Sequence, residues 1–277
     1  MNDQFTRDLA NEVGRIASVE TLNMKFAEYF IRTIDGKDYV LGKNKKKGVF
    51  CEFNEYKLLF SLFSLVKSPL PRYFDNKYLI NVVPIEAILQ FCTEYGLPYE
   101  DKNLWEEHRY AGFEVGHFRY RIAVLYSFFL LWKAFYENDE ASINLNMLLV
   151  GLKPADYSDH KQKRAHIKEW LARYVTTFGN HFSFEVDYNA VKDGFFLKLR
   201  TRNIFDTCYY QFATLLTNED VLFKGNLKSC KACNAFFWGH GNKRYCEKCN
   251  RKTVWSRNHK NKKGELFPEK YLPPVSL

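Results

Sequence analysis

Residues 230–249 read CKACNAFFWGHGNKRYCEKC, and the reading of this stretch divides the rest of the chain. Its cysteines follow the spacing C-x2-C-x12-C-x2-C: Cys230 and Cys233, then Cys246 and Cys249. Two short-spaced thiolate pairs can close a tetrahedral shell around one ion, and an all-sulfur shell selects Zn2+, with iron as the alternative that uses the same ligands. The spacer is shorter than the ~15–20 residues usual between pairs in a four-cysteine ribbon. It still holds what a small finger needs. Phe236–Trp238 and Lys243–Tyr245 read as two strands about the turn Gly239–Asn242, where Gly and Asn accept positive φ. The first cysteine pair then sits on a knuckle. The second opens a helix beginning near Cys246 and carrying Asn250 to Lys263. A knuckle, a hairpin and a helix describe a treble-clef-like finger.

Four thiolates saturate the ion and leave no position for a metal-bound water, so the expected cofactor is one structural zinc, with no catalytic residue. The competing reading, a disulfide framework, belongs to secreted chains. The opening residues, Met1 to Asp8, lack the basic, apolar, small-residue order of a secretory signal, so a cytoplasmic chain is expected. No membrane association is expected either. The longest predominantly apolar run, Ile122 to Trp132 between Arg121 and Lys133, is far shorter than the ~20 residues needed to span a bilayer.

Charge separates the finger from the rest. Residues 228–263 hold eleven Lys and Arg and one acid, Glu247, a net +10, while the remaining residues hold 30 basic and 31 acidic side chains. A tetrathiolate zinc contributes about −2 and does not change that sign. Charge so concentrated is the footprint of a phosphate-backbone binder. Arg244, Lys248, Arg251, Lys252 and Arg257 are the candidate nucleic-acid contacts. From Lys248 to Arg257 they recur at roughly helical steps, which lets several face one phosphate row.

With 277 residues, 46% of them hydrophobic and 17% aromatic, the chain can bury one good-sized core besides a small module. The expected class is α+β: a mainly helical N-terminal domain with β-hairpins over residues 1–225, the zinc finger with its basic helix over 226–265, and an extended tail over 266–277. In the N-terminal part the apolar period predicts a helix over 3–18. Asp35-Gly36 predicts a hairpin turn between Tyr29–Ile34 and Lys37–Leu41. Gly42 to Gly48, rich in lysine, reads as a solvated loop. A helix over 55–66, a strand over 78–83, and a helix opened by Pro84 and stopped at Gly96 follow. Glu106, Glu107, His108, Arg109 and His117 lack the spacing of a metallopeptidase and read as polar surface at a helix junction. Residues 115–138 form the most apolar helix and the expected centre of the core. A helix over 161–178 turns Ile167, Trp170, Leu171 and Tyr174 inward and Lys161, Lys163, Arg164 and Lys168 outward. Alternation over 182–188 and 195–199 predicts a second hairpin, and a last helix covers 204–217. Cys51, Cys92 and Cys208 sit in apolar segments as core thiols.

The last helix, the Cys230–Cys233 knuckle, Phe236-Phe237, Arg244-Tyr245 before Cys246, and Cys249-Asn250-Arg251 with the basic segment after it together resemble the CGNR-type zinc fingers. The resemblance spans about residues 204–263. In that bacterial family the finger ends an α-rich domain, sometimes called the ABATE domain, in stress-response transcription regulators. It implies a zinc-dependent, DNA-binding transcription regulator, with DNA preferred to RNA, whose N-terminal domain senses a ligand, forms a homodimer or binds a protein partner. The alternative is a protein-interaction or phage-defence component whose finger is only a staple. A treble-clef nuclease is the weakest reading, since His240 and His259 have no acid near them and no second ion site is assembled.

Overall fold

A computed structural model describes residues 18–23, 25–45, 49–52, 56–71, 74–157, 159–178, 182–189, 194–217, 227–232, 236–239, 241–246 and 249–250. The chain divides into two compact units, Met1–Leu216 and Thr217–Leu277. In chain order the elements are β1 (Ser18–Asn23), β2 (Phe26–Ile34), β3 (Lys37–Lys45), β4 (Val49–Glu52), α1 (Lys57–Phe63), α2 (Asn76–Leu79), α3 (Ile85–Tyr95), α4 (Lys102–His108), β5 (Gly112–Glu114), α5 (Val115–Glu137), α6 (Glu140–Leu149), α7 (His160–Phe178), β6 (Phe182–Asn189), β7 (Gly194–Thr201), α8 (Ile204–Thr217), β8 (Leu227–Ser229) and β9 (Phe236–Trp238). The fold is mixed α and β.

Helix α5 is the centre of the first unit because its apolar residues form two stripes. Phe118, Ile122, Leu125, Phe129 and Trp132 make one, Ala123, Phe128, Leu131 and Phe135 a second, and all are buried. A helix apolar on two sides must be covered on two sides. Helix α1 brings Phe60 and Phe63 to 6.3 and 4.7 Å from Phe129, centroid to centroid. Helix α8 places Phe205 5.6 Å from Phe118 and Phe212 6.2 Å from Trp132. Helix α7 stacks Tyr174 on Phe128 at 3.6 Å. These separations and mostly tilted or edge-on angles are those favoured by the ring quadrupole, except for the parallel Phe128–Tyr174 pair. Asn138, left-handed at φ 55°, ends α5, and Asp139 then caps α6 by accepting the Ser142 amide at 3.1 Å.

Strands β2 and β3 form the hairpin expected at Asp35-Gly36, whose φ values of 49° and 76° match the right-handed twist of the flanking strands. Strand β5 joins the free side of β3, pairing Phe113 with Val40. The larger sheet has the order β4-β1-β7-β6. Its antiparallel β6–β7 hairpin is the one expected from alternation, but the β1–β7 pairing is parallel and joins residues near the two ends of the first unit. A buried hydroxyl triad ties that sheet to α8: Thr201 lies 3.0 Å from Thr21 and 2.7 Å from Thr207. Asn203 caps α8 by accepting the Asp206 amide at 3.0 Å.

Three readings are corrected. Gly42 to Lys45 is not loop but the end of β3, paired as far as Phe26 with Lys45. Gly42 serves a close approach: a Cβ there would lie 2.3 Å from the Phe26 ring. Residues 78–83 are not a strand. Helix α2 and a turn occupy them, and the Val83 carbonyl accepts the buried Arg119 Nε–H at 2.9 Å. Lys163 does not point outward. It is buried, donating to Glu140 at 2.8 Å and Asn144 at 2.5 Å, and so joins α7 to α6. Helices α5 and α8 stand within a residue of their expected bounds, and Pro84 caps α3, which ends at Gly96 with φ 92°. The helix expected over 3–18 lies outside the described residues except for Ser18, which begins β1. No helix among the described residues is long and apolar enough to cross a membrane.

Candidate metal centre

Strands β8 and β9 pair antiparallel, Lys228 opposite Phe237 and Ser229 opposite Phe236. The segment opening with Cys230 therefore connects two paired strands, as a knuckle does. This corrects the expected hairpin, because β9 pairs with the strand before the knuckle and not with Lys243–Tyr245. That later segment is held instead by one backbone bond, from the Lys231 N–H to the Arg244 carbonyl at 3.0 Å. Gly239 follows β9 where a Cβ would lie 2.6 Å from the edge of the buried Phe237 ring, so the chain can turn tightly past it. Gly241, at φ 57°, completes the return.

The return brings the second cysteine pair to the first. The sulfurs of Cys230, Cys246 and Cys249 all lie within 4.8 Å of one another, with Cys230 buried and the other two half-buried. A tetrahedral ion with metal–sulfur bonds of ~2.3 Å holds its sulfurs roughly 3.8 Å apart, so the donor set fits a metal. Among the described residues this is the one group of three or more His, Cys, Asp or Glu side chains drawn together in this way. Cys249 and Asn250 are helical, and the Asn250 amide donates to the Cys246 carbonyl at 2.8 Å, the first turn of the helix expected there. Cys233, Lys248, Arg251, Lys252 and Arg257 lie outside the described residues.

Beside this centre lies an open cleft of about 350 Å³ lined by Lys228, Ser229, Lys231, Gly241, Asn242, Lys243 and Arg244. Arg244, expected as a nucleic-acid contact, is exposed on it. Lys228, Lys231 and Lys243 were not singled out by helical spacing, because they come from the knuckle strand and the returning turn. The signal that names them is the basic residue flanking each arm of the cysteine pattern.

The described polar residues of the first unit form no comparable site. Glu106 and Glu107 are exposed on α4, and His108 ends it. His117 meets Tyr99 at 3.3 Å, and burial, then the Arg121 charge, holds its imidazole below the ordinary value. Burial pushes the Cys92 and Cys208 thiols well up, which makes them unreactive core groups; the Cys51 side chain lies outside the described residues.

A protein of two compact units, one an α/β core and one carrying a thiolate cluster fit for a metal ion, is what this architecture defines. Set against known families, curated proteins and solved structures, the chain matches none of them.

Proposed function

We propose that the protein is a zinc-dependent nucleic-acid-binding regulator. Its second unit is a small finger in which Cys230, Cys233, Cys246 and Cys249 hold one structural zinc. When bound, the ion supplies cross-linking alone, since a closed sulfur shell offers no Lewis-acid position. The chain's own residues do the rest. The proposed contacts are Arg244, Lys248, Arg251, Lys252 and Arg257. Those side chains meet phosphates, which position a protein on nucleic acid without reading its sequence. Thiolates kept reduced for a metal suit a cytoplasmic protein. The preference for DNA, and a sensing, dimerising or partner-binding role for the first unit, follow from the resemblance to CGNR-type regulators.

The observation that supports this reading best is the charge: +10 over residues 228–263 on a chain otherwise close to neutral. Each phosphate neutralised releases counterion, and log affinity for duplex DNA falls with log salt by ~0.9 per contact. Four to six contacts give a slope of about −4 to −5, which the Arg251→Ala, Lys252→Ala double variant flattens by nearly two. Absence of binding to duplex DNA and to RNA at low salt would refute the proposal and leave the finger as a staple for protein contacts.

A further inference from the structure

The cleft beside the cysteines has a composition that selects its ligand. Of the seven described residues that line it three are lysines and one is arginine, and none of these seven is acidic or aromatic. None of the described residues of the second unit is an acid. The four cations arrive from two segments, Lys228 and Lys231 from the strand and knuckle, Lys243 and Arg244 from the returning chain. The Lys231 N–H bond to the Arg244 carbonyl clamps these segments together, and the Lys228 ammonium reaches across to the Gly241 carbonyl. That tether uses one of the three donors on Lys228. Lys231, Lys243 and Arg244 are exposed, and no described carboxylate lies within 4 Å of them. Like charges held together repel, so this arrangement stores a demand for an anion. Lysines bind phosphate as point charges and arginine grips its oxygens in a fork. None of the described lining residues carries a ring on which a base could stack, so the described lining suits the backbone better than the bases.

We infer that this cleft is a phosphodiester-binding site, in which Lys231, Lys243 and Arg244 grip the sugar–phosphate backbone of a nucleic acid next to the metal centre. The inference rests on the nucleic-acid reading above and adds a second contact surface to it, on the knuckle side of the finger.

The test is a salt titration of the full chain with a short mixed-sequence DNA duplex, using K231Q/K243Q. Zinc content is measured alongside to show that the centre is intact. Removing two phosphate contacts should flatten the log–log slope by ~1.8 at unchanged zinc. A control pair, K153Q/K161Q, removes the same charge from exposed lysines of the first unit and should leave the slope alone. Equal flattening by both pairs means that net charge, not the cleft, is read, and overturns the inference. So does an unchanged slope in K231Q/K243Q while wild type still binds; R251A/K252A flattening the slope then leaves the nucleic-acid reading standing. Inorganic pyrophosphate provides the remaining arm. Pyrophosphate bound by wild type and lost in K231Q/K243Q, without any binding of nucleic acid, would assign the cleft to a small phosphate ligand and overturn both readings.

Discussion

Replacing Phe129 by Ala removes a ring that lies where α1, α5 and α8 meet. Its side chain is fully buried. Ring centroids of Phe63, Trp132, Tyr126, Phe60 and Phe212 stand 4.7, 5.6, 6.2, 6.3 and 6.4 Å away. Two of those neighbours belong to α1, two to α5 itself and one to α8, so the cavity would be walled by three elements that cannot all collapse into it. Truncation of a buried Phe costs ~3–5 kcal/mol through lost transfer energy and residual cavity. For a unit of this length each kcal/mol moves the melting temperature by about 2–4 °C, so the first transition should fall by roughly 6–20 °C. Near-ultraviolet circular dichroism during a thermal melt reads the aromatic core directly, and metal analysis of the same sample reads the finger. Zinc per chain should not change, because the cysteine cluster lies in the other compact unit. A variant melting with wild type would place Phe129 outside the core and refute the reasoning; a variant that lost its zinc as well would show that the units do not fold independently.

Cys246→Ser exchanges one thiolate of the cluster for a hydroxyl that stays protonated, and structural zinc in small fingers is bound with ~10–16 kcal/mol at neutral pH. Purified wild type should carry one zinc per chain and the variant none, with the core transition of the first unit retained; two disulfides and no metal in wild type would end the zinc reading. Glu140 holds the buried Lys163 ammonium, and that hydrogen bond keeps its carboxyl below the ordinary value. A depressed carboxyl contributes stability that is present above the unfolded value and lost as pH falls through the folded one. Glu140→Gln should therefore cost about 1 kcal/mol at pH 7, a modest figure because Glu140 is 41% exposed, and the difference from wild type should vanish in acid. A difference that grew on acidification would put the Lys163 anchor elsewhere.

Several features needed nothing beyond the order of residues. Asp35-Gly36 set a hairpin turn because few residues tolerate two successive positive φ values. Helix α5 was visible because an apolar stretch that long has no other economical form, and α8 because its apolar face recurs at the helical period up to Thr217. The spacing of the four cysteines marked a candidate metal site. Three of their sulfurs converge, Cys230 from the first arm meeting Cys246 and Cys249 of the second. Other decisions belonged to partners distant in the chain. Gly42 among lysines carries the local signal of a loop, and only the Phe26 ring across the hairpin makes it a strand residue. The apolar run at 78–83 is too short for period to separate strand from helix, and in the fold it is the end of α2 and a turn that buries Leu79, Val82 and Val83. Lys163 sits on what reads as the polar face of α7 until α6 presents Glu140 and Asn144 to it. In the finger, strand propensity placed Phe236–Trp238 but had no means of choosing its partner. Pairing is a bond between backbones, and β9 takes as its partner the strand preceding the knuckle, while Lys243–Tyr245 forms no strand. The basic cleft has the same origin: Lys228 and Arg244 become neighbours only after the knuckle folds back and the Lys231 amide finds the Arg244 carbonyl.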